Sequence, residues 1–161
     1  LVPRHPERGK ELIQLASSMD LRASLRSLAQ YINSTDQVYI GDTLGELGLW
    51  YELASICFIG GSLSKDGGHN PYEAILSDSF ILHGPETFNF SEIYSSLDEK
   101  KCAIKVTNSR EISEKILELL DSDNLEKQHN NARILISSDK KKINLLADRI
   151  HNRLKGLNSF N

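Results

Sequence analysis

Short apolar runs alternate with longer stretches in which apolar residues recur at helical spacing. The apolar runs predict six strands, at residues 1–4, 22–26, 37–41, 56–60, 79–83 and 102–107. The other stretches predict helices at residues 6–18, 44–54, 71–77, 89–98, 109–121, 123–137 and 139–155. Strands that alternate with helices form βαβ units. The pattern therefore predicts an α/β fold, a mostly parallel sheet with helices on both faces.

Five predicted helix starts share one local pattern, a Thr, Asn or Asp followed three residues later by Glu. They are Thr43–Glu46, Asn70–Glu73, Asn89–Glu92, Asn108–Glu111 and Asp123–Glu126. This spacing is typical of a capping box, in which the two side chains bind free backbone N–H groups. Pro6 and Pro71 suit the first helical position. Spacing alone therefore favours a capping role for the glutamates that follow Thr43 and Asn70.

Composition limits the classes of function. Hydrophobic residues make up 39% of the 161 residues and charged ones 25%, as in ordinary globular proteins. A net charge of −3 gives no broad basic field for nucleic acid, so any bound phosphate must be held locally. No signal peptide is visible, and no apolar run approaches the roughly 18 residues of a membrane helix. Cys57 and Cys102 lie in separate apolar runs and are interpreted as buried thiols.

The length suits one domain, which we expect at residues 1–155, with a frayed tail at 156–161. The chain opens on an apolar segment that resembles the end of a strand, and it has no initial methionine. We therefore expect a piece of a longer protein.

Candidate chemistry gathers in the turns that follow the strands. In an open parallel sheet, ligands bind beyond the carboxyl ends of the strands. The turns "PRHPER", "GDTLGE" and "GGSLSKDGGHNPYE" would lie at that edge. Their glycines permit close approach of a ligand, and helix N-termini suit phosphate. Arg4 and Arg26 could clamp an anion bidentately.

Several site types are not expected. The chain has no G-x-G-x-x-G fingerprint between a strand and a helix, and no Walker A loop. His5, His69 and His83 lack metal-ligand spacing, so no metal site is predicted. His69 is interpreted either as a surface turn residue or as a hydrogen-bonding loop residue. Arg4 and His5 are likewise either a charged strand end or part of a site.

Four motifs together carry a resemblance: "PRHPER", "GDTLGELGLWY", "FIGGSLSKDGGHNPYEA" and "GPETFNFSEIY". In this order and spacing, from about residue 1 to about residue 155, the chain resembles the C-terminal half of 3-deoxy-D-manno-octulosonic acid (Kdo) transferases. The resemblance implies a Rossmann-like domain, one half of the GT-B glycosyltransferase architecture. Lys65 and Asp66 are more charged than the family pattern, which affects only the detail of their loop.

The resemblance also implies a function. This half would bind the nucleotide of the donor, CMP-Kdo, in lipopolysaccharide core biosynthesis. The N-terminal half would bind a lipid A precursor at the cytoplasmic face of the bacterial inner membrane, and would carry the membrane anchor and the catalytic base. We therefore expect an inverting glycosyltransferase that uses no metal and no cofactor besides its donor substrate. This fragment alone should be inactive, with no catalytic residue of its own.

By motif, the resemblance assigns nucleotide binding to Pro3, Arg4, Leu44, Gly45, Glu46, Asn70, Pro71, Tyr72 and Glu73. A second group of candidates comprises His5, Arg26, Ser27, Thr43, Gly67, Gly68 and His69. Arg4 would lie near the phosphate, and Glu73 would hold the ribose hydroxyls rather than only cap a helix. Two alternatives remain, a GT-B domain that uses a UDP-sugar and a non-catalytic Rossmann-like binding module.

Overall fold

The computed structural model describes residues 1–28 and 32–120. The chain forms two compact units, residues 1–54 and residues 55 onward. The first unit comprises a 3₁₀ turn (Pro6–Arg8), α1 (Gly9–Ser18), β1 (Ala23–Leu25), β2 (Val38–Ile40) and α2 (Leu47–Leu53). The second comprises β3 (Ile56–Ile59), α3 (Tyr72–Leu76), β4 (Phe80–His83), a 3₁₀ turn (Phe88–Phe90), α4 (Ser91–Glu99), β5 (Ala103–Lys105) and α5 (Ser109–Leu120).

In the first unit, β1 and β2 pair in parallel, and Leu25 lies opposite Ile40. Both residues are buried, and α1 packs against the two strands. The predicted first strand, residues 1–4, is not a strand. Only Leu1 continues the ladder: its amine donates to the Tyr39 carbonyl at 2.7 Å, and the Gly41 N–H donates to its carbonyl at 2.8 Å. One residue of pairing is too short to form a strand.

The second unit is built on a parallel sheet in the order β3-β4-β5. Successive side chains of the central strand, β4, point to opposite faces. Phe80 and Leu82 pack with Leu119 of α5 on one face. His83 points to the other face, where its ring lies 4.6 Å from the ring of Tyr94 in α4. All of β4 is buried, so the predicted parallel sheet with helices on both faces is confirmed.

Several predicted helix bounds are wrong. The helix predicted from residue 44 begins at Leu47, because Gly45 has a φ of +83° and so lies outside the helical region. The helix predicted from residue 89 begins at Ser91, after a 3₁₀ turn. The predicted helices 123–137 and 139–155, the Asp123–Glu126 cap and the tail 156–161 lie outside the described residues.

The capping pattern holds best at α5. The Asn108 carboxamide oxygen accepts a hydrogen bond from the Glu111 N–H at 3.0 Å. The Glu111 carboxylate returns to the backbone N–H of Thr107 at 2.7 Å rather than to that of Asn108. Both halves of a capping box are therefore present, with the return bond shifted by one residue.

At α3 the pattern is half formed. The Asn70 carboxamide accepts from the Tyr72 N–H at 3.0 Å, but Glu73 makes no return hydrogen bond among the described residues. The predicted cap at Asn89 is wrong. Its side chain instead donates to the carbonyl of Asp66, because α4 begins two residues later.

Gly84, directly after β4, leaves no room for a side chain, since an added Cβ would lie 2.0 Å from the carbonyl oxygen of Ser62. We predict that Gly84→Ala lowers the free energy of unfolding by about 3 kcal/mol. Gly48 in α2 is the matched control, because an added Cβ there meets nothing within 4 Å. Gly48→Ala should be neutral or stabilising by up to about 1 kcal/mol. Urea unfolding measures both, and equal effects would contradict the prediction.

Candidate functional site

In the first unit, the candidate residues Arg26, Thr43 and Glu46 contact one another. Arg26 follows β1 and donates two hydrogen bonds to the Glu46 carboxylate, Nε to Oε2 at 3.1 Å and Nη2 to Oε1 at 2.8 Å. The Thr43 hydroxyl donates to the same carboxylate. The capping role expected for Glu46 is therefore wrong. Glu46 itself precedes α2, and its side chain makes no cap bond.

This ion pair changes the acidity of both groups. Hydrogen bonds from Arg26, and then from Thr43, lower the pKa of Glu46 to about 2, and the pKa of Arg26 is raised. Both side chains are about 30% exposed, so water screens part of the attraction. Arg26 is thus engaged within the protein, and it could clamp an anion only by sharing or releasing Glu46.

Ser27, a second-group candidate, binds Asp42 at the end of β2. Its N–H donates to Oδ1 at 2.9 Å and its hydroxyl donates to Oδ2 at 2.6 Å. Burial raises the pKa of Asp42, but the hydrogen bonds from Ser27 and from the backbone of Asp42 and Arg26 together leave that pKa below its ordinary value. Gly9 packs against Asp42, since an added Cβ would lie 2.8 Å from the Asp42 Cβ. Sequence reasoning did not single out Asp42, although its place directly after a strand was a usable signal.

Most of the remaining first-unit candidates are exposed to solvent. Pro3 is half-buried, while Arg4 and His5 are exposed. His5 lies 3.6 Å from Glu7, whereas Arg4 makes no hydrogen bond or ion pair among the described residues. Leu44 is 81% exposed, and an added Cβ on Gly45 would meet nothing within 4 Å. Arg4 therefore carries a charge with no internal partner, and the backbone at Gly45 can be approached closely.

In the second unit, residues 60–71 form the glycine loop, which runs from β3 to α3. Gly67 and Gly68 are buried and have φ values of +79° and +74°. An added Cβ at Gly67 would lie 2.5 Å from the ring of Phe88, and one at Gly68 would lie 3.2 Å from the Glu86 carbonyl. Packing and backbone conformation therefore both require this glycine pair. Its predicted role in close approach of a ligand stays a prediction.

Two side chains of the fourth motif hold the glycine loop. The Asn89 carboxamide donates to the Asp66 carbonyl at 2.7 Å, and the Asn89 N–H donates to the Gly67 carbonyl at 3.1 Å. The Tyr94 hydroxyl donates to the His69 carbonyl at 2.7 Å. Sequence reasoning missed both roles: Asn89 matched a capping pattern, and Tyr94 was not singled out.

The end of the glycine loop presents the second-unit candidates. The His69 ring packs near Gly60 and Gly61 and is half-buried, so it is not a freely exposed turn residue. Pro71 is buried and anchors the turn, while the residues on either side of it are exposed. These exposed residues are Asn70, Tyr72 and Glu73. The Glu73 carboxylate makes no hydrogen bond among the described residues, so it could accept one from a ligand.

The described residues offer neither a metal site nor a membrane-spanning helix. In that part of the chain, no group of three or more His, Cys, Asp and Glu side chains could hold a metal ion. No helix there is long and apolar enough to cross a membrane. Cys57 and Cys102 are free thiols; Cys102 is buried and Cys57 is half-buried. Burial raises the pKa of Cys57 to about 11.

We predict that Glu46→Gln makes the free energy of unfolding less dependent on pH in the acidic range. The folded-state pKa of about 2 lies below the ordinary value of 4.5, so the ion pair stabilises the fold above pH 4.5 and is lost as pH falls through 2. The variant should be less stable than wild type at pH 6, and the difference should shrink towards pH 2. Urea unfolding over this range measures it. Glu92→Gln, which removes an exposed carboxylate without a described partner, is the control. A deficit that stays constant with pH would contradict the assignment.

Comparison with known proteins relates the chain to one family of enzymes. No model of a known protein family matches it. It is 39% identical over 120 residues to the 3-deoxy-D-manno-octulosonic acid transferase of Haemophilus influenzae, covering 74% of this chain and 28% of that protein. Against the transferase of Rickettsia prowazekii it is 34% identical over 146 residues, covering 89% of this chain and 32% of that protein. The chain thus spans about a third or less of the length of these curated relatives.

A solved structure of similar extent supports the same relation. This is the crystal structure of the C-terminal CMP-Kdo binding domain of WaaA from Acinetobacter baumannii, with 32% sequence identity and a TM-score of 0.79. The match covers 84% of this chain and 72% of that domain. The chain therefore belongs to the Kdo transferase family and corresponds to its C-terminal domain.

Proposed function

We propose that this chain binds CMP-Kdo and is the donor-nucleotide domain of an enzyme that transfers Kdo to a lipid A precursor in lipopolysaccharide core biosynthesis. The observation that carries the proposal is the 32% identity and TM-score of 0.79 to a domain described as binding CMP-Kdo. The exposed candidate residues of each unit support it, because their free polar groups match the chemistry of a nucleotide.

The ribose is assigned to the turn that leads into α3 and to the first turn of that helix. Glu73 has an exposed carboxylate with no described internal partner, and a carboxylate can accept hydrogen bonds from two neighbouring hydroxyls. The Asn70 carboxamide oxygen is occupied by the Tyr72 N–H at 3.0 Å, which leaves its NH₂ group to donate. The turn thus offers both an acceptor and a donor to a polar ligand.

The phosphate is assigned to Arg4. A guanidinium binds phosphate bidentately, and that of Arg4 has no competing carboxylate among the described residues. Arg26 differs, because it already binds Glu46. In this proposal Arg26 holds the segment Leu44–Glu46 of the first unit in place, and the backbone of Gly45 stays open to close approach.

The rest of the reaction is proposed to use residues outside this chain. An acceptor hydroxyl attacks the anomeric carbon of Kdo with inversion, a base takes its proton, and the bond to the CMP phosphate breaks. The departing phosphate gains negative charge, which Arg4 and backbone N–H groups would stabilise without a metal or further cofactor. The base, the acceptor site and the membrane contact at the cytoplasmic face of the inner membrane would belong to the N-terminal half.

We predict that the chain binds CMP at least about tenfold more tightly than UMP or UDP, because a pocket that hydrogen-bonds cytosine leaves polar groups unpaired with uracil. Isothermal titration calorimetry measures the three affinities. Preference for a uridine nucleotide would favour a UDP-sugar enzyme, and no nucleotide binding would favour a non-catalytic module.

We also predict that the same protein, given CMP-Kdo and a lipid A precursor, transfers no Kdo. Detectable transfer would refute the proposal that the catalytic base lies outside this chain.

We predict that Glu73→Ala weakens CMP binding about tenfold or more while leaving the free energy of unfolding nearly unchanged, since its carboxylate makes no described internal bond. Glu92→Ala is the matched control, an exposed glutamate in the first turn of α4. It should change neither quantity. If Glu73→Ala instead costs about 1 kcal/mol of stability and spares CMP affinity, Glu73 is a helix cap and the ribose assignment fails.

A further inference from the structure

A buried tyrosine lies behind the glycine loop. Tyr94 of α4 is 1% exposed, and its hydroxyl donates to the His69 carbonyl at 2.7 Å. Its ring also supports the loop, since an added Cβ at Gly68 would lie 3.5 Å from Tyr94 Cε2. Tyr94 therefore fixes the backbone at the residue directly before Asn70, where the proposed ribose-binding turn begins.

Tyr94 is in turn held by a buried histidine. His83, which is 0% exposed, has its ring 4.6 Å from the ring of Tyr94. Its Nδ1 lies 2.7 Å from the Gly84 carbonyl and its Nε2 lies 2.9 Å from an Asp98 carboxylate oxygen. A carbonyl oxygen only accepts, so Nδ1 carries a proton. Both ring nitrogens of His83 thus have a hydrogen-bonding partner.

Asp98 has a second partner. Lys105 of β5 lies 3.4 Å from the other carboxylate oxygen of Asp98. Asp98, which belongs to α4, thus contacts both His83 of β4 and Lys105 of β5. This arrangement ties α4 to the carboxyl ends of both strands and so fixes the position of Tyr94 on the helix.

We propose that Tyr94, anchored by the His83–Asp98 pair, is a positioning residue for donor binding. The inference rests on the proposed function, because it concerns the turn that would hold the ribose. A binding group keeps its geometry only when the residues beneath it are themselves fixed by packing and hydrogen bonds. The Tyr94 hydroxyl supplies such a bond to the loop, whereas the ring alone would suffice to fill the core.

Tyr94→Phe separates these two roles, because it retains the ring and removes the hydroxyl. CMP affinity should fall about fivefold, which corresponds to one ordinary hydrogen bond. Hydrogen exchange of the amides of Gly68 and His69, which donate to Gly61 and Gly60, should become faster. Leu119→Val is the matched control on the opposite face of the sheet. It should lower stability, but leave CMP affinity and exchange in the loop unchanged.

The outcomes distinguish the inference from the proposed function. Lower stability of Tyr94→Phe with wild-type CMP affinity and wild-type loop exchange would overturn the positioning role. If the wild-type protein binds no CMP, the proposed function fails. Hydrogen exchange of the Gly68 and His69 amides then tests by itself whether Tyr94 orders the loop. Faster exchange in Tyr94→Phe supports this role, and unchanged exchange overturns it.

The histidine anchor has its own test. Asp98→Ala removes the group that faces Nε2 of His83, so it should speed hydrogen exchange of the His69 amide if the anchor holds Tyr94 in place. Exchange at the wild-type rate would overturn the anchoring pair.

Discussion

The second unit depends on a backbone contact that excludes any side chain. Gly84, at the end of β4, lies against the carbonyl of Ser62, and its N–H binds the Ser62 hydroxyl at 2.8 Å. The same hydroxyl donates to the Ile59 carbonyl at 2.6 Å. The ends of β3 and β4 are thus joined through one buried serine. Because the glycine loop leaves β3 here, its path follows from this contact.

The charged candidates form two groups. Arg26 and Glu46 bind each other, so their charges stabilise the fold. Arg4 and, in the second unit, Glu73 have no described internal partner. An exposed charge with no internal partner can bind a ligand without first breaking a contact. This difference, more than residue type, separates supporting residues from proposed binding residues.

Much of the fold could be predicted from the sequence. The predicted strands that begin at residues 22, 37, 56, 79 and 102 all contain observed strands. The one that begins at residue 79 contains a continuous apolar run, because every residue of β4 is buried. Helix starts were less predictable. After Thr43, the positive φ of Gly45 delays the start of the helix. The Asn89 side chain binds the Asp66 carbonyl in the glycine loop instead of capping α4. Local spacing carries no information about either competing interaction.

The sequence by itself determined the alternation of strands and helices, the family motifs and the glycine-rich loop after β3, because these depend on periodicity and local backbone freedom. Only the tertiary structure decided what each candidate side chain does. In the folded chain Glu46 forms an ion pair with Arg26, and the Phe88 ring packs against Gly67. The Tyr94 hydroxyl donates a hydrogen bond to the His69 carbonyl. These partners lie 20 or more residues apart in the chain, so they meet only when packing brings the ends of the strands together.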